Sequence, residues 1–128
     1  MTNAKILIVE DEQDSRQVLV EYISARIMSE ISQATNGFEA IELIEKNKFD
    51  VILLDIKMPG INGMEVLEKV KEISPETEVI VITKAGSKER ESQIVEKGAV
   101  YMAKPYSLKI IQKIVEEKLK GKNKLQLK

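Results

Sequence analysis

Three short apolar runs punctuate the chain: Ile6-Leu7-Ile8-Val9, Val51-Ile52-Leu53-Leu54 and Val79-Ile80-Val81-Ile82. They are rich in β-branched side chains and show no polar alternation. That is the pattern of strands covered on both faces, as in a parallel sheet flanked by helices. Val100-Tyr101-Met102-Ala103 is a weaker fourth run, and Ile31 to Thr35 is the most polar, which suits an edge strand.

Between these runs the apolar spacing becomes helical. Val18, Leu19, Tyr22, Ile23 and Ile27 form one stripe, and Ile110, Ile111, Ile114, Val115 and Leu119 form another. Asn36 precedes Ala40, Ile41 and Ile44, with Glu39 placed to complete a capping box; Asn62 and Glu65 repeat the signal before Val66, Leu67 and Val70. Gly86 to Lys97 is the poorest helix, offering only Ile94 and Val95 to a core, and is expected to be the least firmly held element. The order β-α repeats about five times, which predicts an open, doubly wound α/β sheet. One domain spans residues 1–120, and 121–128 is a basic C-terminal tail. Lys118 to Lys128 holds five lysines and no acid, and is expected to be frayed and solvated.

Composition sharpens the chemistry more than the fold. Lys and Arg number 20 and Asp and Glu 21 in 128 residues, so no global charge favours nucleic acid. Cysteine and histidine are both absent. That excludes a disulfide, a thiolate nucleophile, a Cys/His zinc site and a Ser-His-Asp triad. No run approaches membrane-spanning length, Met1 to Glu10 lacks a signal-peptide stretch, and a cytoplasmic location is expected.

In doubly wound sheets ligands gather beyond the carboxyl ends of the strands. Glu10, Asp11 and Glu12 follow the first run, Asp55 the second, Thr83 the third and Lys104-Pro105 the last. Two carboxylates about 4 Å apart repel by roughly 4 kcal/mol at an effective dielectric of 20, so clustered acids call for a cation. Hard oxygen donors without histidine or cysteine favour Mg²⁺. A carboxylate beside such a cation can attack phosphorus, with the metal, a lysine and a hydroxyl steadying the transferring phosphoryl group. Asp55 is the best nucleophile candidate, because it stands alone at the end of the most apolar run.

The segments Ile6 to Glu12, Leu54-Asp55-Ile56-Lys57-Met58-Pro59-Gly60, Ile82-Thr83 and Ala103-Lys104-Pro105 resemble the receiver domain of two-component response regulators, over about Ala4 to Leu119. The resemblance implies a flavodoxin-like fold with strand order 2-1-3-4-5. It matches Asp55 to the phosphoacceptor, Thr83 to the hydroxyl that bonds the phosphoryl group and Lys104 to its ammonium partner. Glu10 and Asp11 match the acidic pair of an Mg²⁺ site, and the backbone carbonyl of Lys57 its third protein ligand. Tyr101 matches an aromatic switch position that acts with Thr83, and the bond between Lys104 and Pro105 one that is cis in the family. A phosphohistidine on a histidine kinase or phosphotransfer protein is the implied donor. A surface formed by Gly86–Lys97, the last strand and the last helix is the implied output.

Lys84 departs from the pattern, which has a small residue after the threonine; its side chain is expected to slow entry of small phosphodonors or water. Ala85 and Lys57 fall where the family tunes phosphoryl lifetime. Two rivals stand beside this reading. A Mg²⁺-dependent phosphohydrolase would carry a second acid two residues after the nucleophile, where this chain has Lys57. A phosphorylation-independent interaction module of the same fold would not need every acid, the threonine and the lysine. The 128 residues leave no room for a helix-turn-helix beyond the receiver, so DNA binding by this chain itself is not expected.

Overall fold

The structure is a computed structural model that describes residues 3–56, 62–84 and 87–128. Strands and helices alternate: β1 Ala4–Val9, α1 Gln13–Ser24, β2 Ser29–Ala34, α2 Gly37–Lys46, β3 Val51–Leu54, α3 Gly63–Ile73, β4 Glu78–Lys84, α4 Lys88–Glu96, β5 Val100–Lys104 and α5 Leu108–Gly121. All strand pairs are parallel, in the order β2-β1-β3-β4-β5. This is the flavodoxin-like arrangement and order expected above.

The unbroken apolar runs follow from having two cores. Leu7, Val9, Ile52, Leu54, Val79 and Val81 pack on one side of the sheet with Ile44 of α2, Leu67 and Val70 of α3 and Ile94 of α4. Their neighbours Ile6, Ile8, Val51, Leu53, Ile80 and Ile82 pack on the other with Leu19 and Ile23 of α1 and Ile111, Val115 and Leu119 of α5. Successive side chains of a strand point to opposite faces, so both must be apolar when both faces are covered.

Several boundaries differ from the pattern reading. β2 begins at Ser29, two residues before Ile31, because its parallel register with Ala4 and Lys5 draws Ser29 and Glu30 into the ladder. The first helical stripe overruns its helix: α1 stops at Ser24, and Ile27 is buried from the turn beyond it, its N–H donating to the Ile23 carbonyl at 2.9 Å. Val18 and Ile110 are exposed, since the buried lines run at four-residue intervals through Leu19 and Ile23 and through Ile111, Val115 and Leu119. In α4 only Ile94 is buried and Val95 is exposed, so this helix holds to the body by even less than its sequence offered.

Caps fix the helix starts. Asn36, Asn62, Ser87 and Ser107 each accept a hydrogen bond from the backbone N–H three residues on. Glu39 does reach back, but to the N–H and hydroxyl of Thr35 at 2.7 and 2.6 Å, one residue before the cap.

The C-terminal tail is not frayed. After α5, the Met28 N–H donates to the Gln126 carbonyl at 2.8 Å and the Lys128 N–H to the Arg26 carbonyl at 3.0 Å, around an antiparallel bridge between Ile27 and Leu127. Leu125 packs on the second core. Lys124 Nζ lies 3.1 Å from Asp50 Oδ1, and Lys122 Nζ donates to the Glu76 carbonyl at 2.5 Å. Lys122 and Lys124 thus find oxygen partners outside the tail, which offsets the like charge of the segment.

Candidate functional site

The sheet ladder itself assembles the acids. One residue past β1, the Glu10 N–H donates to the Ala34 carbonyl at 3.0 Å; one residue past β3, the Asp55 N–H donates to the Val9 carbonyl at 3.0 Å. Neighbouring strands therefore deliver Glu10 and Asp55 to one edge on rigid backbone, both nearly buried. Asp11, the next residue, is exposed on the loop into α1. One carboxylate oxygen from each of Glu10, Asp11 and Asp55 lies within 4.8 Å of the others.

Lys104, the last residue of β5, reaches across to this group. Its Nζ donates to Asp55 Oδ2 at 2.9 Å and lies 3.7 Å from Glu10 Oε2. The bond between Lys104 and Pro105 is cis. Thr83 lies at the adjacent strand end, in the penultimate position of β4, and its buried Oγ1 has no hydrogen-bond partner among the described residues. A small cavity of about 10 Å³ opens among Glu10, Asp55, Lys104, Tyr106 and Leu19.

Crowding shows in the proton affinities. Glu10 is pushed up to about 7, first by burial and then by its hydrogen bond to Asp55 and that residue's charge, with Lys104 pulling the other way. Burial works to lower the Lys104 ammonium, but the hydrogen bond and charge of Asp55 and the charge of Glu10 outweigh it and hold the ammonium above its ordinary value. Burial likewise raises the Tyr106 phenol. Among the described residues, Lys104 is the one ammonium in contact with these acids, which outnumber it.

Tyr101 is partly buried against the first core, two residues before Ala103, the register partner of Thr83. Lys84 is exposed and stands in register with Lys104 on the adjacent strand. Lys57 and Ala85 lie outside the described residues.

The family model for the response regulator receiver domain matches residues 6–116, the span that runs from within β1 into α5 and holds these acids and the lysine. The chain belongs to that family. Sporulation initiation phosphotransferase F of Bacillus subtilis (strain 168) is 34% identical over 120 residues, covering 93% of this chain and 96% of that protein. The response regulator protein PilR of Pseudomonas aeruginosa is 32% identical over 124 residues, 96% of this chain but only 28% of that longer protein. Among solved structures, the CheY-like receiver domain protein of Methanospirillum hungatei JF-1 superposes with a TM-score of 0.87 at 28% identity, covering 96% of this chain and 98% of that one. A receiver domain protein of Clostridium thermocellum gives 0.81 at 27% identity, over 94% and 97%.

Two residues that shape this receiver's site escaped the sequence reading. Gly63 opens α3 against the backbone of Asp55 and Ile56, its N–H donating to the Ile56 carbonyl at 2.9 Å. Arg16 of α1 bonds the Glu10 carbonyl. A glycine at the first position of a capped helix was a usable signal for the former. Nothing in the local pattern marks the latter.

Proposed function

We propose that Asp55 accepts a phosphoryl group from a phosphohistidine on a partner histidine kinase or histidine phosphotransfer protein. A carboxylate oxygen of Asp55 forms the new bond to phosphorus while the P–N bond breaks, its electron pair leaving with the imidazole nitrogen. Lys104 pairs with the charge on the phosphoryl oxygens as it already pairs with Asp55. The observation that carries this reading is the Thr83 hydroxyl, buried at the strand end beside Asp55 without a partner among the described residues. An unsatisfied buried hydroxyl costs free energy, and a phosphoryl oxygen is the acceptor it lacks.

The donor set fits Mg²⁺, with three hard carboxylate groups converging and no nitrogen or sulfur ligand among them. Glu10, Asp11 and Asp55 would hold the ion, with the backbone carbonyl of Lys57 as the family-matched further ligand. When bound, Mg²⁺ supplies the positive charge that the cluster and the transferring phosphoryl group need.

Thr83 and Tyr101 then bias the face made by α4, β5 and α5 toward a signalling-active state read by a downstream protein. The attachment of α4 through Ile94 as its one buried residue supports this helix as the movable part. The chain is a signalling module that modifies itself rather than turning over a separate substrate, and no contact with nucleic acid or membrane enters the reading. Among the described residues no helix is long and apolar enough to cross a membrane, which is compatible with work in the cytoplasm.

Incubation with a small acyl phosphate and Mg²⁺ tests the acceptor. Wild type is expected to gain one base-labile phosphoryl group and Asp55→Asn none. Labelling retained in Asp55→Asn refutes the assignment.

A further inference from the structure

Arg16 touches none of the reacting groups, yet it grips the backbone that presents them. Its Nη1 donates to the Glu10 carbonyl at 2.9 Å and its Nε to Gln33 Oε1 at 3.0 Å. Glu10 lies one residue beyond the end of β1, where its N–H still reaches the ladder through the Ala34 carbonyl. Arg16 supplies the donor for its carbonyl, so both polar groups of the Glu10 backbone are tied. One tie runs to the end of β2 and the other to a side chain itself anchored on β2. The peptide so held is the one joining Glu10 to Asp11.

Resting on the metal-dependent reading above, we infer that Arg16 is a positioning residue for the Glu10–Asp11 pair. By clamping the peptide between them it holds a buried carboxylate and an exposed one on the same small volume, ready for one cation. The planar guanidinium suits this, because its rigid fork presents two N–H groups to two different oxygens at once. A partner that orients ligands without touching the metal typically governs affinity by about 10–100-fold.

The sign of the effect separates this role from a mere charge. Arg16 is a cation close to a site for a dication. If charge were its only influence, removing it would tighten Mg²⁺ binding. If it positions the acids, removing it loosens binding despite the relief of repulsion.

Calorimetric titration of Mg²⁺ into the metal-free, unphosphorylated full chain reads this directly. Arg16→Ala is expected to bind Mg²⁺ about 10-fold more weakly than wild type. Arg16→Lys, with the charge but not the fork, is expected to fall between. Gln33→Ala keeps every charge and removes only the anchor of the guanidinium; it too is expected to weaken binding, by less. Equal or tighter binding by a folded Arg16→Ala overturns the inference. Should Arg16→Ala fail to fold, unchanged affinity in both Arg16→Lys and Gln33→Ala overturns it instead. No Mg²⁺ binding by wild type removes the metal-dependent reading and this inference together, an outcome distinct from wild-type binding that the variants leave intact.

Discussion

Gly63 stands so close to Asp55 that a Cβ at position 63 would lie 2.7 Å from the Asp55 carbonyl oxygen, and only 2.4 Å from the Ile56 Cα. Both are backbone atoms, so no rotamer change relieves the contact. The start of α3 and the end of β3 thus pack as bare backbone, and the site's central carboxylate is borne on one side of that seam.

Gly63→Ala should therefore act on stability and chemistry together. Overpacking of this kind costs about 1–3 kcal/mol, more than the helix propensity that alanine returns. Urea unfolding should show the loss, and acyl-phosphate labelling of the still-folded variant should be slower because the Asp55 peptide is displaced. Wild-type values of both would mean that the seam opens without strain.

The tail makes the opposite prediction, a change in stability alone. It packs at the end of the sheet where Asp50 precedes β3, whereas Asp55 follows it. Truncation after Gly121 removes Leu125 from the second core, the pairing of 126–128 with 26–28, and Lys124 from Asp50. A loss of about 2 kcal/mol is expected, most of it apolar burial, since the Lys124–Asp50 pair is partly exposed and worth no more than about 1 kcal/mol. Thermal melts of the truncated chain and of Lys124→Ala separate the two parts. Labelling of Asp55 should not change, and a slower rate would mean that the tail reaches the site.

What the sequence disclosed and what it concealed divide along a physical line. Ile6 to Val9 and Val79 to Ile82 were legible because a doubly covered strand needs apolar residues at every position. Asp55 and Glu10 were legible because each stands directly after such a run. Ser29 and Glu30 were not, because parallel register with β1, rather than their own side chains, makes them strand. Arg16 and the tail were hidden for a related reason. Arg16 matters through a carbonyl six residues away, and the tail through backbone pairing with residues 26–28, nearly a hundred residues upstream. Neither relationship has a local period to detect.

Glu39 offers a pH dependence outside the site. Hydrogen bonds from the Thr35 hydroxyl and N–H, aided by Arg16, lower its carboxyl below the ordinary 4.5. A lowered folded-state value means that the charged form stabilises the fold. The contribution is complete above the ordinary value and disappears as pH falls through the lowered one. Because the group is solvent-exposed, about 0.5 kcal/mol is expected. Glu39→Gln should melt slightly below wild type near neutral pH, and the gap should close in acid well below 4.5. A gap that persists there would assign the effect to shape rather than charge.

Thr83 should show function set against stability in one residue. Its buried hydroxyl lacks a partner among the described residues, so Thr83→Val, nearly the same shape without the polar atom, removes an unmet desolvation cost. The unphosphorylated valine variant is expected to be about 1 kcal/mol more stable than wild type by urea unfolding. The same substitution takes from the phosphoryl group the hydroxyl proposed to bond it, so labelling of Asp55 should be slower and the response of the α4 and β5 face weaker. Thr83→Ser keeps the oxygen and should retain the chemistry while losing packing through its missing methyl. Stability and labelling that rise or fall together across the two variants would place the hydroxyl in the fold rather than in the reaction. Opposite movements are what a group held ready for an incoming acceptor must produce.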